Sequence, residues 1–156
     1  MNATPEAAPL RPHELRVLEL LLAGRHTALA ALRAQLAGAS VVKRTHTGAG
    51  EYVELGVRGT HERSVPASFV LDDVELTVKG VPHGAAALLF VRDGKLDLLE
   101  FATTPGDWPL DPHIVAVSYL KAVETSPGDP ALEPCGERDD ARLDLAISGH
   151  GTRNAS

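Results

Sequence analysis

A chain of 156 residues with a net charge of −6 fits one small domain, and its apolar content of 44% is enough for a hydrophobic core. Its 15 Lys and Arg residues form no basic cluster, which argues against nucleic acid as the main partner. The single cysteine, Cys135, excludes an internal disulfide framework and a cysteine-based zinc site. The sequence has no signal-peptide pattern and no apolar run near the ~20 residues of a membrane helix, so we expect a cytoplasmic protein with no membrane partner.

Two short helices are predicted after a flexible lead-in over residues 1–11. Pro12 suits the first helical position, and the leucines that follow recur at helical spacing up to Gly24. A second helix is predicted over residues 28–37, with Thr27 as its N-cap residue. The short connection between the two predicts a helical hairpin.

The middle of the chain shows the two-residue period of β-strands. Strands are predicted over residues 41–47, 51–57, 68–79, 85–91 and 96–102. The dipeptide Asp93-Gly94 between two apolar runs is a strong signal for a β-hairpin. Because polar residues alternate with apolar ones along residues 74–79, one face of the sheet is expected to be wet, as in antiparallel sheets.

The last third of the chain is less regular. Residues 103–112 are predicted to form a loop. Residues 114–123 are rich in β-branched residues and favour an edge strand, although Asp111-Pro112 is also compatible with the start of a helix. Residues 125–156 are predicted to be a largely disordered acidic tail with one brief ordered piece at 141–147. The fold prediction is therefore a single α+β domain over residues 12–124, with the N-terminal helical hairpin packed on a mainly antiparallel sheet.

No catalytic or metal-binding motif stands out. The seven histidines are scattered without the spacing of a helical zinc site, and there is no Gly-x-Ser-x-Gly motif. The turn Gly48-Ala49-Gly50 is followed by a predicted strand, so it lacks the helix N-terminus of a phosphate site. We therefore expect no catalytic residues, no metal and no cofactor, and a protein that is not an enzyme.

Three residues are nevertheless candidates for a ligand site. Strand alternation places Glu100 with Leu96 and Leu98 on the apolar side of its strand, where a carboxylate must find a partner or be neutralised. His83 precedes Gly84, and we expect this glycine at a positive φ angle or in close packing. Trp108 lies in a predicted loop, either as a plug over the sheet or as an interface anchor.

The predicted central hairpin and the loop after it carry a spaced pattern of residues: His83-Gly84, Leu88-Leu89-Phe90, Asp93-Gly94, Leu96, Leu99-Glu100 and Trp108-Pro109. This pattern resembles a widespread family of small uncharacterised bacterial proteins, over residues 15–119. The resemblance implies a fold and no particular activity. In general type, the family is similar to immunity proteins of bacterial toxin systems. The chain departs from the family at Phe101-Ala102-Thr103, where a glycine and aromatic residues are more usual.

The leading functional hypothesis is a small acidic binding protein that neutralises or regulates another protein. Its partner surface is predicted to use five carboxylates: Glu51, Glu54, Asp72, Asp73 and Glu75. One alternative is a small-molecule-binding domain or minor enzyme with a site near His83, Glu100 and Trp108. A second alternative is a structural subunit of a larger assembly, with residues 114–123 as an exposed edge strand.

Overall fold

The protein is an α+β structure with three helices and one seven-stranded antiparallel sheet. The computed structural model describes residues 7–103 and 108–148. The elements are α1 (Pro12–Leu21), α2 (Thr27–Gln35), a 3₁₀ turn (Leu36–Gly38), β1 (Ala39–His46), β2 (Gly50–Val57), β3 (Phe69–Val78), β4 (Val81–Arg92), β5 (Lys95–Ala102), β6 (Ile114–Ser126), β7 (Asp129–Cys135) and α3 (Asp140–Ser148).

The strands lie in the order β1-β2-β5-β4-β3-β6-β7, and every neighbouring pair is antiparallel. One apolar cluster joins the helices to one face of the sheet, where α1 contacts β3 and β4, α2 contacts β5, and α3 contacts β3. The α+β class is therefore as predicted. The helices, however, are not confined to the N-terminal part of the chain, because α3 is its last element.

The two N-terminal helices are held by local polar contacts. Glu14 accepts a hydrogen bond from the backbone N–H of Arg11 at 2.7 Å, which satisfies a free donor at the start of α1. At α2 the N-cap residue is His26 and not Thr27, since His26 Nδ1 accepts from the N–H of Ala28 at 3.1 Å. Arg33 in α2 donates to the carbonyl oxygens of Leu22 and Gly24, just after the end of α1. The finer prediction, that the two helices form a hairpin, stays a prediction.

Strand β4 is longer than predicted. Residues 82–84 belong to the strand and do not interrupt it. They lie where the β3–β4 register shifts, and the strand accommodates them there as extra residues. Gly84 has a φ of +68°, and a Cβ there would lie 2.7 Å from the carbonyl oxygen of Leu76. Both expectations for this glycine are thus confirmed. At the other end of β4, Asp93 and Gly94 both have positive φ, and Arg92 pairs with Lys95 across the turn into β5.

The C-terminal third differs most from the prediction. Residues 114–123 do form a strand, but β6 lies between β3 and β7 and is therefore not at the edge. The segment predicted as a disordered tail contains β7 and α3, and α3 includes the brief ordered piece expected at 141–147. Composition misled the prediction, because contacts with distant residues stabilise this segment.

Both edges of the sheet are modified. Beside β1, Ala8 and Val41 exchange two backbone hydrogen bonds of 2.9 and 2.7 Å, so residues 7–11 of the predicted lead-in are ordered against the sheet. A register shift between Val41 and Lys43 also interrupts the β1–β2 pairing. At the other edge, β7 contains Pro130 and Pro134, which have no N–H to offer another strand. Among the described helices, none has the length and apolar character required to cross a membrane.

Candidate functional site

Trp108 anchors one end of the sheet on its helix-covered face. It is 3% exposed, and its ring stacks on Phe101 with centroids 5.2 Å apart and planes 9° from parallel. Its Nε1 donates to Glu51 Oε2 at 3.1 Å, and its carbonyl oxygen lies 2.6 Å from His46 Nε2. Trp108 is therefore a buried plug that fixes the end of the loop before β6 against the turn between β1 and β2.

The charged residues around this plug are already paired with one another. The buried Glu14 accepts two hydrogen bonds from Arg44, at 2.9 and 2.6 Å, and this bonding raises the pKa of the Arg44 guanidinium. His13 packs against Phe101, and burial lowers the pKa of its imidazole. Glu51 is buried between Trp108 and the guanidinium of Arg11, 3.8 Å away. The contacts of this corner are those of a structural cluster.

A second buried network involves Asp73. Both of its carboxylate oxygens accept hydrogen bonds of 2.8 Å from Arg138, whose guanidinium also lies 5.3 Å from the ring centroid of Tyr119. Burial raises the pKa of Tyr119, against the opposing effect of the Arg138 charge. Asp72 is exposed, but it lies 3.6 Å from Arg142. The predicted partner surface is therefore corrected at Glu51 and Asp73, since neither buried carboxylate can reach a partner.

The opposite face of the sheet is not packed against any of the three helices. We call it the open face. Its side chains alternate with the buried ones along each strand, and several large apolar groups are exposed there. The open face comprises Val42, Lys43, Thr45, Tyr52, Glu54, Val70, Glu75, Ala86, Leu88, Phe90, Arg92, Lys95, Asp97, Leu98, Glu100, Ala102, Leu120 and Leu132.

Glu100 lies on the open face and not on the core side. The sequence prediction assumed strict alternation along the strand, but the β4–β5 register shifts between Phe90 and Val91. As a result Leu96 and Leu99 are both buried in the core, whereas Leu98 and Glu100 point the other way. The prediction that Glu100 shares the core side is therefore wrong, and the bulge is the reason.

The neighbours of Glu100 on the open face are apolar or aromatic on every side. Directly across the strands lie Tyr52 on β2 and Leu88 on β4. Two residues away along β5 lie Leu98 and Ala102 on the same face. Within the described part of the chain, no ion pair or hydrogen bond engages the Glu100 carboxylate. This half-buried charge thus sits without a partner near the middle of an apolar platform.

Two shallow grooves border this platform. One has a volume of about 520 Å³ and contains Tyr52, Glu54, Asp97 and Leu98 together with Arg92. The other has a volume of about 280 Å³ and lies on the far side of β4. Its lining includes Glu75, His83, Ala102, Leu120 and Leu132. The open face therefore has two shallow grooves, each lined by apolar side chains and by at least one carboxylate.

The structure does not bring His83, Glu100 and Trp108 together. Trp108 is on the helix-covered face, Glu100 is on the open face, and His83 is exposed in the second groove. The small-molecule site predicted at these three residues is therefore not supported. Among the described residues, no group of three or more His, Cys, Asp or Glu side chains is placed to hold a metal ion.

No family model, no curated protein and no solved structure matches the chain. The resemblance to a family of small bacterial proteins stays a prediction from the residues. The sequence analysis assigned Glu54 and Glu75 to a partner surface and Glu100 to a separate ligand site, whereas all three lie on the open face. It did not select Tyr52 or Leu88. Their place in the two-residue period of β2 and β4 was the available signal.

Proposed function

We propose that this chain is a small cytoplasmic binding protein that docks another protein on its open face. The observation that carries the proposal is an apolar sheet face left uncovered by the helices, with an unpaired carboxylate near its centre. Monomeric proteins rarely leave a large apolar patch exposed unless it binds something. The general type that fits is an immunity or regulatory protein, which acts by occupying its partner.

The sheet edges are poor alternatives to the open face. Strand addition needs a regular row of free N–H and C=O groups along an edge. Ala8 already uses both backbone groups of Val41 beside β1, and the adjacent bulge disturbs the register. Pro130 and Pro134 interrupt the donors along β7. These features favour a partner that packs on the face over one that extends the sheet.

The charges of the open face favour a basic partner over a second copy of the chain. The face carries four acidic side chains, Glu54, Glu75, Asp97 and Glu100, and three basic ones, Lys43, Arg92 and Lys95. Two copies packed face to face would bring two such acidic sets together, which is unfavourable. A partner with a basic, partly apolar surface would be complementary, and the net charge of −6 would assist its approach.

The test uses Tyr52→Glu, a charge placed at an exposed aromatic residue of the open face. Leu145→Glu is the matched control, because Leu145 is an exposed apolar residue on α3, away from this face. The full-length chain is used to isolate a bound protein from its host, and the complex is then reconstituted from the two purified proteins. We expect Tyr52→Glu to weaken the reconstituted complex at least about tenfold and Leu145→Glu to leave the affinity within about twofold.

Two results would contradict the proposal. One is a reconstituted complex that is equally affected by both substitutions, which would place the interface elsewhere. The other is the repeated absence of any stoichiometric partner. If the partner is a toxin, co-expression of the wild-type chain should protect cells, and Tyr52→Glu should remove the protection while Leu145→Glu retains it.

A further inference from the structure

We infer that the docked partner places an arginine side chain against Glu100, between Tyr52 and Leu88. This inference rests on the proposed function, since it names the chemistry that the partner presents at the open face. Three observations support it. These are the apolar surroundings of Glu100, the placement of the basic residues of the open face away from it, and the aromatic ring beside the carboxylate.

The first observation concerns water. In the free chain the half-buried carboxylate of Glu100 keeps contact with solvent on its exposed side. A partner packed on Tyr52, Leu88, Leu98 and Ala102 would remove that solvent from all directions. Burying an ionised carboxylate without a counter-charge is strongly unfavourable. An apolar partner would therefore be rejected at this point, and a partner with a cation there would be selected.

The second observation concerns the cations that the chain itself supplies. Arg92 lies with its Nε 3.8 Å from Asp97 Oδ2. Lys43 lies directly opposite Glu54 in the β1–β2 register. Lys95 lies directly opposite Arg92 and lines a groove that also contains Asp97. None of these three basic residues lies directly across from Glu100. Glu100 has no basic residue directly across from it on either neighbouring strand, so its counter-charge would come from outside the chain.

The third observation favours arginine over lysine. Tyr52 is 39% exposed and directly opposite Glu100, so its ring borders the carboxylate. A guanidinium is planar, weakly hydrated and able to stack on an aromatic ring while it forms two hydrogen bonds to a carboxylate. A lysine ammonium would keep a tighter hydration shell and would gain less from the ring. Tyr52 and Glu100 together therefore form a recognition pair for arginine.

The inference can be tested without knowing the partner. The probe is the peptide acetyl-Leu-Arg-Leu-amide, and its control is the same peptide with citrulline, which has nearly the shape of arginine but no charge. Both are titrated into the isotope-labelled full-length chain and followed by NMR. We expect the arginine peptide to shift the signals of Tyr52 and Leu88 and to bind at least about fivefold more tightly than the citrulline peptide, because only arginine compensates the charge of Glu100.

Two variants of the chain locate the effect. Glu100→Gln should reduce binding of the arginine peptide to the level of the citrulline peptide. Glu75→Gln removes a carboxylate of the same face in the other groove and should leave the preference for arginine unchanged. Equal binding of the two peptides to the wild-type chain would overturn the inference. So would an arginine preference that persists in Glu100→Gln.

Failure of this inference can be distinguished from failure of the proposed function. A reconstituted complex that is weakened by Tyr52→Glu but unaffected by Glu100→Gln would retain docking on the open face and remove the role of arginine. A complex unaffected by either substitution would remove both. Glu100→Leu supplies a further readout, since it should leave the melting temperature of the free chain unchanged or higher while weakening the complex. A fall in the melting temperature would instead assign Glu100 a structural role.

Discussion

Arg138 and Asp73 form a two-fold hydrogen-bonded ion pair, with both N–O distances at 2.8 Å and both side chains 6% exposed. The pair joins the irregular part of β3 to the segment between β7 and α3. The same guanidinium donates to the carbonyls of Leu20, Leu21 and Ala23 near the end of α1. One side chain thus connects the C-terminal segment, the sheet and the first helix.

We expect Arg138→Ala to lower the free energy of unfolding by about 3–5 kcal/mol, because it leaves the Asp73 carboxylate buried and uncompensated. Arg142→Ala is the control. Its ion pair with Asp72 is longer, at 3.6 Å, and more exposed, so the loss should be about 1 kcal/mol or less. Urea denaturation of both variants measures the difference. Losses of the same size would show that the buried pair contributes no more than a surface pair.

Trp108→Ala is expected to cost about 3–5 kcal/mol of stability, since it empties the space over Phe101. Trp108→Phe separates two contributions. It keeps an aromatic ring over Phe101 but removes the Nε1–H donor to the buried Glu51, which should cost about 1–3 kcal/mol. Thermal and chemical denaturation of the two variants provide the measurement. A Phe variant as stable as the wild type would show that Glu51 does not depend on this hydrogen bond.

Gly84→Ala and Gly128→Ala form a matched pair, because both glycines have positive φ, +68° and +85°. A Cβ at Gly128 would meet no atom within 4 Å, so its cost should be the conformational one of about 1–2 kcal/mol. At Gly84 the Cβ would also approach the carbonyl oxygen of Leu76, and we expect a further loss of about 1–3 kcal/mol. If urea denaturation gave the same loss of unfolding free energy for both variants, β3 and β4 would be able to move apart at Gly84 without a measurable loss of stability.

The depressed pKa of His13 predicts a pH dependence of stability. Burial disfavours the imidazolium in the folded chain, while the neighbouring charges act in both directions: Glu14 and Glu51 raise the pKa, and Arg11 and Arg44 lower it. The unfolded chain therefore binds a proton more readily. The stabilisation is present above pH 6.5 and is lost as the pH falls below that value.

The measurement for His13 is the free energy of unfolding between pH 5 and pH 8, for the wild type and His13→Gln. We expect the wild type to lose more stability on acidification than the variant, because glutamine has no proton to gain. Parallel profiles for the two proteins would show that His13 does not contribute to the pH dependence.

The local features of the fold were predictable from the sequence. Pro12 marked the start of α1, and Asp93-Gly94 marked the turn between β4 and β5. These signals act over a few residues, through the restricted φ of proline and the positive φ that the turn requires. The two-residue period likewise indicated the strands of the central sheet.

Features that depend on distant pairing were not predictable. An extra residue in β5, Asp97, reverses the face on which Glu100 lies, and this bulge is defined only once β4 and β5 are paired. The C-terminal segment has a composition typical of disorder, yet β7 pairs with β6. Arg138 also forms an ion pair with Asp73, which lies 65 positions earlier in the chain. The position of Glu100 on the open face thus depends on strand register, and the order of the C-terminal segment depends on long-range pairing.

The proline-containing strand β7 has a consequence for self-association of the chain. A sheet with exposed apolar side chains can assemble into fibrils. These fibrils grow as further strands pair with the backbone of the edge strands. With Pro130 and Pro134 at one flank and Ala8 beside Val41 at the other, such growth lacks a template. The apolar side chains of the open face are thus exposed on a sheet whose edges resist growth by strand pairing.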